Sequence, residues 1–226
     1  MGIIFLCLFC LSAIINITAI FLEKYFVRTA SKLCLMPLLI FFTIFQSFSS
    51  FQSNEFSIII LLALLFSWFG DIFLIKPDKI KLYLGIISFL ISHILYIIVY
   101  NSFISDIKIL FYVLSFAGFF IIEYFIIKRL HFPRGYKIPT ILYGIVIGHL
   151  ILFSLQVFAG NRNIYSFLLV AGSIFFLISD TVLVYYNTVK TMTKYGAALV
   201  MASYVIAQAG IIIACVNLPI ALNKIY

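Results

Sequence analysis

Charge is what this chain has least of. Only 10% of its 226 residues are Asp, Glu, Lys or Arg, and 65% are hydrophobic, giving a mean hydropathy of +1.24. A soluble domain is about 25% charged and roughly 45 to 50% apolar, so there is too little polar surface here to coat a globule in water. The same balance excludes a disordered chain. Four cysteines are too few for a disulfide scaffold, and Cys7 and Cys10, though spaced C-x-x-C, lie in an apolar run as small core residues do. No Ser-His-Asp spacing, G-x-S-x-G or Walker motif is present.

What is there instead is a series of long apolar runs. A transmembrane helix needs roughly 20 apolar residues to cross about 30 Å of hydrocarbon, whereas a barrel strand needs about 10 with alternation. The runs fit helices. Eight spans are predicted, at approximately 3 to 22, 33 to 49, 56 to 75, 82 to 100, 107 to 127, 138 to 158, 164 to 186 and 195 to 215. The expected fold class is thus all-α, a polytopic transmembrane bundle forming one domain over residues 1 to 226. The first run has no basic residues before it and is too long for a signal-peptide core, so it is read as a span.

The net charge of +8 is sorted by loop. Lys24, Arg28 and Lys32 follow span one; Lys76, Lys79 and Lys81 follow span three; Lys128, Arg129, Arg134 and Lys137 follow span five; Lys190 and Lys194 follow span seven. Twelve of the fifteen basic residues therefore share one side, with Lys108, Arg162 and Lys224 on the other. The positive-inside rule makes that side cytoplasmic and both termini non-cytoplasmic. The basic character reads as topology facing anionic membrane lipids, not as nucleic-acid binding.

Acidic residues number seven, and three lie inside spans: Asp71, Glu123 and Asp180. A carboxylate in the bilayer core costs about 2.5 to 3.5 kcal/mol even on lenient scales, so such groups face the bundle interior and carry function. Glu123 lies close to Lys128 and reads as interfacial. Asp71 and Asp180 are about four and six residues from the cytoplasmic ends of parallel helices, which puts both roughly 6 to 9 Å inside the boundary. Each follows a small residue, Gly70 or Ser179, and Ser67 is one turn before Asp71. An offset of 109 residues superposes Asp71 on Asp180, Phe66 on Phe175 and Leu74 on Leu183, and the next spans open at Gly85 and Gly196, as a parallel duplication would. His93 with Tyr96, and Tyr204 with Gln208, each share a helix face. Tyr143 enters span six at the depth of the aspartates. These could line a polar cavity or serve as interhelical glue. His149 lies deeper.

Two carboxyl groups held close together away from water do not both ionise, which leaves one acid and one base. That pair suits hydrolysis through an oxocarbenium-like cation. A proton-coupled transporter or lipid flippase using the same aspartates as a relay is the main alternative. An intramembrane aspartyl protease would want G-x-G-D where the chain has FGD, and a zinc hydrolase would have to recruit His93 and His149 from separate helices.

The segments TASKLCLMPLL at 29 to 39, SWFGD at 67 to 71, GIISFLISHILY at 85 to 96, SIFFLISD at 173 to 180 and ASYVIAQ at 202 to 208, in this order, carry a resemblance. The chain resembles the lysoplasmalogenase family of eight-span membrane proteins, the YhhN-like group, over nearly its whole length. The family's lysine-proline pair opening helix two is here Lys32-Leu33, with the proline displaced to Pro37. The resemblance implies hydrolysis of the vinyl ether of an alkenyl lysophospholipid by water, yielding a fatty aldehyde and glycerophosphoethanolamine or glycerophosphocholine. It implies catalysis by Asp71 and Asp180 with no metal or organic cofactor, Lys32, Lys76 or Lys81 at the phosphate with Lys32 favoured, and a place in a bacterial inner membrane. Which aspartate is acid stays open at this point, as do headgroup preference and oligomeric state.

Overall fold

The computed structural model describes residues 2–50, 54–76, 78–104, 113, 117, 137–188 and 191–222. Seven helices lie in those residues: α1 (Gly2–Phe21), α2 (Tyr25–Ser50), α3 (Asn54–Phe73), α4 (Lys79–Ser102), α5 (Lys137–Gly160), α6 (Ile164–Thr188) and α7 (Lys194–Ala221). All seven contain a stretch long and apolar enough to cross a membrane. The span expected at 107 to 127, with Glu123, lies outside the described residues. Large apolar side chains such as Ile3, Ile14, Phe26, Ile87, Ile98 and Phe167 point outward, as lipid-facing residues do.

Two helices are longer than their apolar cores. Helix α2 begins at Tyr25, well before the predicted start at 33. Its first turns carry Arg28, Ser31 and Lys32, which break the hydropathy signal without breaking the helix. Buried Asn16 of α1 donates to the Arg28 carbonyl (2.6 Å) and to Ser31 Oγ (3.0 Å), which fastens that polar stretch to its neighbour. Helix α7 runs on to Ala221 through Pro219. Cys7, Cys10 and Cys34 face outward, contrary to the core placement expected; a thiol is apolar enough for lipid, and only Cys215 is buried.

Side chains set the helix ends. Asp78 caps α4 by accepting from the Lys81 N–H (2.8 Å), a bond that also holds its carboxyl below the usual range. Thr193 caps α7 through the Gly196 N–H. Before α6, Asn163 and Ser166 bond each other's backbone N–H reciprocally. Between α1 and α2 the chain reverses at Glu23 (φ 56°), with Lys24 N–H bonded to Ala19 O and Glu23 N–H to Ile20 O, a helix-ending pattern usually built on glycine.

Consecutive helices pack as hairpins, α4 packs on α5, and α7 closes the bundle against α1, α2, α3 and α6. Glu23 pairs with Lys194, and the Lys76 ammonium lies 5.0 Å from the Tyr25 ring centre, so the connections after α1, α3 and α6 gather at one end. That grouping is the one the basic residues predict.

Candidate active site

Proline at position 37 removes the N–H that would bond the Leu33 carbonyl one turn earlier. In a membrane that carbonyl needs another donor. Trp68 supplies it: its indole N–H reaches Leu33 O across the α2–α3 interface at 3.0 Å. This bond sets the register of α3 against α2, and it places Lys32 opposite Asp71, where Nζ lies 3.2 Å from Oδ1. Lys32, expected at a substrate phosphate, is therefore occupied by an intramembrane carboxylate. Composition alone could not reveal this, because the pairing arises from the packing of α2 on α3.

Asp71 is 2% exposed and has a second partner, the Tyr204 hydroxyl of α7, which donates to Oδ2 at 2.8 Å. Behind Tyr204 runs a closed network. Gln208 Nε2 donates to Ser67 Oγ (2.9 Å) and more weakly to Tyr204 (3.4 Å), while Tyr96 donates to Gln208 Oε1 (2.9 Å). Ser67 and Ser92 share a bond of 2.8 Å. Ser67, Tyr96, Tyr204 and Gln208 thus join in one assembly tying α3, α4 and α7 together, and each is buried. Their hydrogen-bonding capacity is spent largely on one another and on Asp71.

Asp180 is 5% exposed and has a different setting. The Tyr143 hydroxyl donates to its Oδ2 at 2.5 Å, and His93 Nε2 stands 3.8 Å from the same oxygen. No lysine or arginine is paired with it among the described ion pairs. Asp180 and Tyr143 line a narrow crevice of about 20 Å³, whose other walls are Leu74, Leu82, Ile86, Phe89, Leu183 and Val184. The two carboxyl groups share a neighbour: Phe89, which lines the Asp180 crevice, also packs edge-on against Tyr204, the partner of Asp71, at 5.8 Å between ring centres. Helix α3 can approach α4 here because residue 70 is glycine; a Cβ would lie 2.6 Å from the Phe89 ring. On α6, Ser179 Oγ donates to the Val200 carbonyl of α7 (3.1 Å).

The structure brings together Asp71, Asp180, Lys32, Ser67, His93, Tyr96, Tyr143, Tyr204 and Gln208. His149 bonds the carbonyl of Ile145 on its own helix. Among the described residues no three His, Cys, Asp or Glu side chains converge as a metal site. Trp68 is the residue that sequence reasoning passed over; Pro37, which leaves a carbonyl without its donor, is the signal that could have found it.

The YhhN family profile matches residues 27–215, a region that contains both aspartates and every residue of this network. The chain belongs to the YhhN family. This is the lysoplasmalogenase family, so the chain is a lysoplasmalogenase-like membrane protein. No curated protein and no solved structure matches the chain. In this YhhN protein the matched region begins within α2, two residues after its first turn opens, and ends in α7 at Cys215.

Proposed function

We propose that this protein hydrolyses the vinyl ether bond of an alkenyl lysophospholipid, releasing a fatty aldehyde and glycerophosphoethanolamine or glycerophosphocholine. The observation that carries the reading is the unequal setting of the two carboxyl groups. Asp71 faces the Lys32 ammonium at 3.2 Å, a partner that favours its charged form. Asp180 has neutral partners and opens on an apolar crevice, so it can hold a proton and meet an alkenyl chain.

Vinyl ether hydrolysis needs such an acid. Asp180 gives its proton to the β-carbon, the ether oxygen shares its lone pair to form an oxocarbenium ion, and the negative charge of Asp71 stabilises that cation. Water then adds to the cationic carbon, and the hemiacetal falls apart to aldehyde and glycerol hydroxyl. The apolar walls suit the alkenyl tail. Lys76 and Lys79 flank the crevice residues Leu74 and Leu82 in sequence and would face the phosphate, while Lys81 pairs with Asp78 as Lys32 does with Asp71. Ser67, Tyr96 and Gln208 position Asp71 through Tyr204, while Tyr143 orients the acid. We place the protein in a bacterial inner membrane with its basic end in the cytoplasm.

The test is incubation of the purified protein in lipid nanodiscs with vinyl-ether, ester and alkyl-ether lysophospholipids, measuring aldehyde and free fatty acid separately. Aldehyde from the vinyl ether alone is expected. Fatty acid release would make it an ester hydrolase, and proton-driven lipid movement without any product would make it a transporter.

A further inference from the structure

His93 is buried at 0% exposure, and one of its nitrogens has no hydrogen-bond partner. The other nitrogen, Nδ1, lies 2.6 Å from the carbonyl of Phe89. A carbonyl only accepts, so Nδ1 carries the proton and a neutral imidazole presents a bare lone pair at Nε2. Phe176 and Tyr143 pack edge-on against the ring at 4.5 and 5.6 Å between centres, with Nε2 on the side of Asp180 Oδ2. At 3.8 Å the two atoms are close but not bonded. A buried basic nitrogen without a partner is costly and calls for a use.

The other half of the chain sharpens the point. Offsets of 109 to 111 residues place Asp71 on Asp180, Gly85 on Gly196, Ser92 on Ser203 and His93 on Tyr204. The contacts cross over: Tyr204 meets Asp71, and His93 faces Asp180. In the first case a hydroxyl makes a closed hydrogen bond to a carboxylate already fixed by Lys32. In the second, a buried ionisable base with an unpartnered nitrogen stands 3.8 Å from the acid that lines the crevice.

We infer that His93 is a further catalytic residue, the base that deprotonates the attacking water and then returns the proton to Asp180. The inference rests on the vinyl ether hydrolase reading. Asp180 begins as the acid and loses its proton to the β-carbon, where the C=C π pair forms the new C–H bond. Water oxygen bonds the oxocarbenium carbon while one of its protons passes to His93 Nε2, giving an imidazolium and a neutral hemiacetal. The imidazolium hands that proton to the Asp180 carboxylate, restoring both groups. Cleavage of the hemiacetal C–O bond moves its hydroxyl proton to the departing glycerol oxygen, so one water is consumed and no other reactant is needed.

The experiment uses the full chain in nanodiscs with a lysoplasmalogen as substrate. His93→Asn keeps an N–H for the Phe89 carbonyl, and His93→Gln places a non-basic amide near the Nε2 position. Both are expected to lose about 10² to 10⁴ in kcat with KM within about twofold of wild type. His93→Ala is expected to regain rate with added imidazole and not with pyrrole, which has no basic lone pair. Rates for Asn or Gln within about threefold of wild type, a loss carried by KM, or an Ala variant indifferent to imidazole would each overturn the role of His93. Wild-type protein that releases no aldehyde would remove the hydrolase reading and this role together; active wild type with an indifferent His93 would remove only the role.

Discussion

Replacing Trp68 by phenylalanine removes the only indole N–H in the chain, and with it the donor to the Leu33 carbonyl. Interhelical hydrogen bonds in membrane proteins average about 0.6 kcal/mol and reach about 1.7. The upper part of that range applies here, because Pro37 denies the carbonyl its ordinary helical partner and the site is partly buried. Trp68→Phe should therefore cost about 1 to 1.7 kcal/mol for the bond, plus a packing loss for the smaller ring. Pro37→Ala separates the two contributions, since an alanine at this position brings an N–H that can bond Leu33 O within the helix. In that background the packing loss remains and the hydrogen-bond cost largely vanishes. A double-mutant cycle on reversible unfolding in mixed micelles should give a coupling of about 1 kcal/mol between positions 37 and 68. Additive costs would refute the idea that the indole compensates for the proline.

Breaking the Lys32–Asp71 pair should be worse than removing it. Lys32→Met strands a carboxylate at 2% exposure, with a cost approaching the roughly 3 to 5 kcal/mol seen for buried pairs, reduced because Lys32 itself is 21% exposed. The double variant Lys32→Met/Asp71→Asn should recover most of that stability in thermal unfolding but not activity; no recovery would argue that the pair is incidental. Gly70→Ala pushes a Cβ to 2.6 Å from the Phe89 ring and should cost about 1 to 3 kcal/mol, with partial relief from Phe89→Leu. Tyr143→Phe leaves Asp180 without its hydroxyl donor and should lower kcat by about tenfold while leaving the fold intact by circular dichroism, since the hydrogen bond becomes charge-assisted only as Asp180 gives up its proton.

Much of this site was legible before the structure because lipid enforces a strict selection: a polar group inside a span needs either a partner or a purpose. That reasoning singled out Asp71, Asp180 and Tyr143 from their depth, and His93 with Tyr96 and Tyr204 with Gln208 from shared helix faces. It could not say which polar group meets which. Tyr204 bonds Asp71 from 133 positions away, and Tyr143 bonds Asp180 from another helix, so these choices are made by packing. Lys32 was misplaced for a related reason. Hydropathy starts α2 at residue 33, leaving Lys32 in a loop near the headgroups, whereas Asn16 and Ser31 hold the preceding polar turns in the helix and bring Lys32 down onto Asp71. The inequality of the two aspartates, on which the chemistry turns, follows from that one displacement.

The central claim is that Asp180 protonates carbon in a vinyl ether. Hydrolysis of a lysoplasmalogen in D2O, with the aldehyde trapped at once by reduction, measures this directly. Wild-type protein should give a product carrying one deuterium on the carbon next to the former carbonyl, and Asp180→Asn should give almost none of that product. An aldehyde without deuterium at that carbon, or deuterated product formed at the wild-type rate by Asp180→Asn, would contradict the account.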